Sequence, residues 1–136
     1  MISIIIPVRN EKRYVGRCLD AVLTQDYLSD EFEILVVDGI SDDGTDEIVA
    51  NYQQDHPNIK LISNNGRIVP VGMNLALREA DGDILIRVDG HCIIEPDYVS
   101  NCVRHLHEDG VDGVGGPMHT IGEDFTSEVI ALAMSS

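Results

Sequence analysis

Four apolar runs punctuate the chain, at residues 2–8, 33–37, 59–62 and 83–88. They are continuous rather than alternating, as strands are when helices cover both faces of a parallel sheet. Between them the period lengthens to that of a helix. Tyr14, Cys18, Leu19, Val22 and Leu23 form one apolar stripe, and residues 47–54 form a second helix capped near Asp43 or Thr45. Pro70 falls where a first helical residue would, ahead of Met73, Leu75, Ala76, Leu77 and Ala80, and Asp81-Gly82 ends that helix. Pro96 opens a fourth helix with Tyr98, Val99, Cys102, Val103 and Leu106 on its apolar side. A short strand around residues 113–120 and a last helix from Asp124 onward complete the pattern. Strand and helix alternate throughout. That order predicts an α/β fold: a Rossmann-like three-layer sandwich with a mostly parallel sheet and right-handed crossovers. The final apolar stretch, residues 128–134, stops without a cap and reads as a helix cut from something longer.

Composition narrows the partners. The 136 residues predict one domain, with enough apolar side chains for a core. No run of 18 apolar residues exists, so no membrane span is expected in this segment. Met1-Ile2-Ser3-Ile4 enters a strand directly, without the basic start of a secretory signal, which points to a cytoplasmic protein. The formal net charge is −15, and only Lys12 and Lys60 of the nine cations are lysines. Such a surface repels nucleic acid and anionic lipid, and no basic run offsets it. Cys18, Cys92 and Cys102 match no zinc or redox spacing. Cys18 and Cys102 read as buried helix residues in a reducing compartment. Cys92 either packs or sits near a site.

The chemistry should lie beyond the carboxyl ends of the strands, where open parallel sheets bind ligands. Four polar turns converge there: Pro7-Val8-Arg9-Asn10-Glu11, Asp38 through Thr45, Ser63-Asn64-Asn65-Gly66-Arg67, and Asp89-Gly90-His91. The first turn lacks the glycine pattern of a dinucleotide fold, and no phosphate-cradling Gly-Lys-Ser/Thr loop follows. A diphosphate would therefore need a cation. Asp89 and His91, two apart on a strand-end turn, suit a divalent metal, with Arg67 assisting. Oxygen ligands favour Mg2+ or Mn2+, and the imidazole inclines the choice to Mn2+. Asp38 either caps the next helix or accepts from a base NH or ribose hydroxyl. Ser41, Asp42 and Asp43 are at hand for capping, which leaves it open to a ligand. Arg87 either forms a structural pair with Asp38 or Asp89 or touches the ligand. A nucleotidyltransferase would carry a glycine-rich activating loop after Ile6, and a phosphoacceptor domain an acidic pair after the first strand. Neither is present.

Together these segments resemble the family-two glycosyltransferases with the GT-A fold. The matching stretches are Ser3 to Glu11, Glu33 to Thr45, Gly72 to Leu77 and Gly82 to His91. The Asp-Gly-His variant, with Gly115-Gly116-Pro117-Met118 and the closing Ile130 to Ser136, is similar to the succinoglycan-type exopolysaccharide branch. The resemblance implies that residues 1–136 are the nucleotide-sugar-binding part of a catalytic domain. It implies that Pro7, Val8, Arg9 and Glu11 line the nucleotide pocket, with Glu11 near the ribose or base. Asp38 would bind the base, uracil by preference, and Arg67 would face the base or diphosphate. Asp89 and His91 would stand where the family carries its Asp-x-Asp metal motif. Gly115, Gly116 and Pro117 would lie on the acceptor side. The implied reaction is inverting, metal-assisted transfer from a nucleoside-diphosphate sugar to a saccharide or lipid-linked acceptor in cell-surface glycan synthesis. Two departures stand out: His91 replaces the second aspartate, and Met73 stands where many relatives have arginine. The family's catalytic base lies well past the metal motif. Glu123 and Asp124 read as a helix start, so the base is expected beyond residue 136, along with any membrane attachment. The alternative is a fragment that binds nucleotide without turning it over.

Overall fold

The computed structural model describes residues 1–27 and 29–115. In chain order its main elements are β1 (Ile2–Val8), α1 (Val15–Leu23), β2 (Phe32–Asp38), α2 (Thr45–Asp55), β3 (Ile59–Ser63), α3 (Val69–Glu79), β4 (Ile84–Arg87) and α4 (Tyr98–Glu108). A single 3-10 turn, Ser29–Glu31, leads into β2. The four strands pair in parallel in the order β3-β2-β1-β4. Ile4 is the centre of the register, level with Ile34 of β2 and Ile86 of β4.

Alternate side chains of β1 and β2 serve opposite layers. Ile2, Ile4, Ile6, Ile34 and Val36 pack with Val15, Cys18, Leu19 and Val22 of α1, Val49 of α2, and Val99 and Cys102 of α4. On the other face, Ile5, Leu35 and Val37 meet Ala76 of α3, with Ile62, Met73 and Ala80 around them. The three-layer α/β sandwich is thus present. Full burial on both faces holds for the central pair only. β4 alternates instead, with Ile86 buried but Leu85 47% exposed, and the main strand contacts of α3 are with β1 and β2. β3 is likewise only partly covered.

At the amino end of the sheet a buried carboxylate gathers several segments. Glu33 accepts hydrogen bonds from Ser3 Oγ (2.6 Å), Asp81 N (2.7 Å) and Lys60 Nζ (2.8 Å). Gly82 N in turn donates to Ser3 Oγ at 2.9 Å. This places the turn before β4 against β1. Gln25, just past the end of α1, does similar work. Its side chain donates to Glu95 O (2.7 Å) and accepts from Val99 N (3.0 Å), satisfying a first-turn amide of α4.

Contacts group Met1–Arg104 as one compact unit, and His105 onward as a second. In the second, His105 Nδ1 lies 2.9 Å from Asp109 Oδ2. Residues 113–115 have no regular structure. The rest of the expected strand at 113–120, the last helix, and Gly116, Pro117, Glu123 and Asp124 lie outside the described residues.

Candidate functional site

The order of the strands makes the site. β2 and β3 lie on one side of β1 and β4 on the other. The chain therefore leaves β1 in one direction and returns on its far side, and the loops beyond these two strands diverge. A crevice opens at such a switch point. A cleft of about 300 Å³ lies there, lined by Pro7, Val8, Arg9 and Glu11 after β1, Val37 of β2, Asn64, Arg67 and Val69 around the β3–α3 turn, and Arg87, Asp89, Gly90 and His91 from β4. Of the nucleotide-binding residues expected from sequence, Pro7, Val8, Arg9, Glu11, Arg67 and Asp89 all face this one space, joined by His91.

Each turn is held by its neighbours. Gly90 sits so close to β1 that a β-carbon there would fall 2.6 Å from Val8 Cγ1, so only glycine lets the Asp89–His91 turn lie over it. The loop after β1 is tied to the loop after β2. Asn10 N donates to Ser41 Oγ (2.9 Å), Glu11 N to Thr45 Oγ1 (2.9 Å) and Lys12 N to Asp43 Oδ2 (3.2 Å). Asp43 also accepts from Thr45 N at 3.0 Å, the first amide of α2, while the N-cap expected near Asp43 or Thr45 falls on Gly44, which has no side-chain cap. Hydrogen bonding from the Thr45 hydroxyl, foremost, holds the Asp43 carboxyl below its usual range.

Asp38 was expected either to cap the next helix or to meet a ligand. It is buried, and its carboxylate takes both Ser41 N (3.2 Å) and Ser41 Oγ (2.5 Å). It does not line the cleft. Asn64 was not foreseen. It is buried, accepts from Gly66 N (3.1 Å) and donates to Ile68 O (2.9 Å), which shapes the turn presenting Arg67. The sequence signal was only an asparagine at a strand end, which any turn can carry.

The electrostatics are mixed. Nine cations less two lysines leave seven arginines, and Arg9, Arg67 and Arg87 of these line the cleft. Arg87 pairs with Asp89, its Nε and Nη2 each 3.0 Å from Oδ1. That settles the choice of partner for Arg87 and leaves Asp89 Oδ2 unclaimed by it. Glu11, expected near the ribose or base, lines the cleft, and its Oε1 lies 3.1 Å from His91 Nδ1. Asp89, His91 and Cys92 bring one donor atom each within 4.8 Å of one another. An oxygen and a nitrogen donor fit Mn2+, whereas a thiol is a softer ligand. Burial, and then the Asp89 charge, raises the Cys92 thiol, and its side chain packs against the core. Burial pushes the Cys18 thiol behind it up to about 12, with smaller contributions from Cys92, Glu11 and Asp89. These residues fit a divalent cation held by Asp89 and His91.

Comparison with known proteins agrees with this geometry. The family model for glycosyl transferase family 2 matches residues 3–133. The succinoglycan biosynthesis protein ExoA of Rhizobium meliloti is 30% identical over 98% of this chain and 41% of its own length. Among solved structures, S. aureus TarS 1-349 in complex with UDP superposes with a TM-score of 0.72 at 28% identity, covering 90% of this chain and 39% of that one. The mannosyltransferase PcManGT from Pyrobaculum calidifontis, in complex with GDP-Man and Mn2+, gives 0.75 at 32% identity, covering 81% of this chain and 33% of that one. The chain spans less than half the length of these curated relatives that it matches.

Proposed function

The chain belongs to glycosyl transferase family 2, and from that premise we propose that its strand-end cleft binds the nucleoside diphosphate of an activated sugar. The observation that carries this reading is the convergence of three arginines with Asp89 and His91 in one crevice of a chain with net charge −15. A protein this acidic has no general affinity for anions, so cations gathered at one point mark where an anion goes.

Roles follow from placement. Arg67 and Arg9 enter no ion pair with a described residue and are available to diphosphate oxygens. Pro7, Val8 and Val37 give the cleft an apolar wall for the base or ribose. Asp38 would contact the base through the lone pairs that its two Ser41 hydrogen bonds leave over. UDP is the favoured nucleotide, supported by the UDP complex of the TarS relative. GDP remains the competitor in the light of the PcManGT complex. Asp89 and His91 would hold the cation, which when bound would offset the charge developing on the departing diphosphate. The reaction is inverting transfer to a saccharide or lipid-linked acceptor in cell-surface glycan synthesis, with Gly115, Gly116 and Pro117 on the acceptor side. Mn2+ is preferred over Mg2+ for its tolerance of imidazole.

A second reading has a specific observation behind it. The two carboxylates lining the cleft each already hold a partner, Glu11 His91 and Asp89 Arg87, and neither is set apart as a base. On that reading the chain holds nucleotide without transferring sugar.

Calorimetric titration with UDP and GDP, with and without Mn2+, tests the proposal. UDP should bind more tightly with Mn2+ present, and Asp89→Ala should remove the Mn2+ dependence. Binding indifferent to both Mn2+ and Asp89→Ala would overturn the metal-assisted reading. Donor hydrolysis or transfer by this chain would overturn the second.

A further inference from the structure

The family-type metal residues of this chain include an imidazole in place of a carboxylate, and an imidazole has two faces to present. A carboxylate offers equivalent oxygens in any rotation. A histidine binds a cation through one ring nitrogen only, and only if the proton is on the other. Substituting His91 at this position therefore creates a need that an aspartate would not have: something must choose the nitrogen.

Glu11 meets that need. Its Oε1 lies 3.1 Å from His91 Nδ1, across 80 residues of sequence. Of the two residues Glu11 is the more buried, and its backbone is anchored. Glu11 N is bonded to Thr45 Oγ1 at 2.9 Å, and Glu11 O accepts from Tyr14 N (3.0 Å) and Val15 N (2.8 Å) at the start of α1. Its side chain is 21% exposed against 58% for His91. Gly90, the residue before His91, lies against it, with the position of a β-carbon 3.4 Å from Glu11 Cγ. A carboxylate only accepts, so the proton in this contact is on Nδ1, and the lone pair of the neutral ring is on Nε2. Glu11 stands outside the group of donor atoms that meet within 4.8 Å, which is Asp89, His91 and Cys92.

Resting on the reading of Asp89 and His91 as cation ligands, we infer that Glu11 is a positioning residue: it fixes the tautomer and orientation of His91 so that Nε2 is the atom offered to the cation. Ring orientation set by a carboxylate on the non-ligating nitrogen is a general device of metal-binding histidines, and losing it weakens the metal about 10–100-fold.

The whole 136-residue chain serves for the test. Nitrogen NMR of the metal-free protein, recorded where the spectrum itself shows a neutral ring, should show His91 protonated on Nδ1. In Glu11→Ala that signature should be lost. Mn2+ affinity, read from the free-ion electron paramagnetic resonance signal, should fall by about tenfold in Glu11→Ala. Glu11→Gln keeps an acceptor oxygen and should restore both readouts close to wild type. An unchanged tautomer and unchanged affinity in Glu11→Ala would overturn the inference, and so would Glu11→Gln as weak as Glu11→Ala, since charge rather than orientation would then matter. Asp89→Ala separates the two layers. If it binds Mn2+ like the wild type, the metal reading itself fails. If it loses Mn2+ while Glu11→Ala keeps it, only the positioning role fails.

Discussion

Ile40 adopts φ = 58°, a left-handed conformation that a β-branched residue resists. Asn10 (φ 53°) and Arg67 (φ 64°) share it, so the turns after β1, β2 and β3 each hold one such non-glycine residue. Two of the three explain themselves. Asn10 accepts from Asp42 N at 2.9 Å and donates to Ser41, and Arg67 N donates to Asn64 O at 3.1 Å. Ile40 has no such compensation on view and is 39% exposed. Left-handed backbone costs an ordinary residue about 1–2 kcal/mol, and asparagine tolerates it. Ile40→Asn should therefore stabilise the protein by about 1 kcal/mol in urea unfolding. A lower midpoint would mean that the packing of Ile40 outweighs the backbone strain. The general apolar pattern gave no warning of this residue, because an isoleucine after a strand reads as more strand.

At the scale of elements, the sheet is closed at its amino end by a charge. Glu33 lies on a central strand and receives hydrogen bonds from β1, the side chain of Lys60 on β3, and the α3–β4 turn. Burial is the largest single influence and pushes its carboxyl up. Lys60, Ser3 and the Asp81 amide together outweigh it, and the net shift is downward. Lys60 is correspondingly raised, foremost by its hydrogen bond to Glu33. A carboxyl lowered in the folded state stabilises the fold fully above its unfolded pKa, and the contribution is lost as pH falls through the folded value. Glu33→Gln should cost about 1–3 kcal/mol near neutrality, and the difference from wild type should shrink below about pH 4.5. Urea titrations at neutral and acid pH check this. A difference independent of pH would show that shape, not charge, holds the junction. Much of this scale was legible. All four strands fall within a residue of the expected bounds, and α1 carries the expected stripe, because local periodicity reports which faces are covered. The exposed face of β4 was not legible. Ile84-Leu85-Ile86 is as apolar as β1, and only the tertiary structure shows that Leu85 is left bare.

For the molecule as a whole, charge dominates. A net charge of −15 on 136 residues repels itself in the folded state, and salt screens that repulsion. The melting temperature should rise by several degrees between low salt and about 1 M NaCl, where the screening length falls to about 3 Å. A flat or falling profile would show that local ion pairs such as Lys60–Glu33 and Arg87–Asp89 outweigh the global field. The same imbalance bears on the proposed anion site. Three arginines in one crevice stand against an acidic surround, so an anion that binds there does so locally.

The sequence alone determined the α/β class, the parallel character of the sheet, the four polar turns and the family that these motifs resemble. Each depends on residues near one another in the chain or on spacing along it, and periodicity and turn chemistry are written at that range. Tertiary structure decided which groups meet. Glu11 could be assigned to a ribose from its motif, yet the parallel register that sets Ile5 beside Arg87 carries the turn after β4 across to it and puts His91 within 3.1 Å. Asp38 turned inward to Ser41 for a similar reason: where a carboxylate points is settled by the donors that folding places around it.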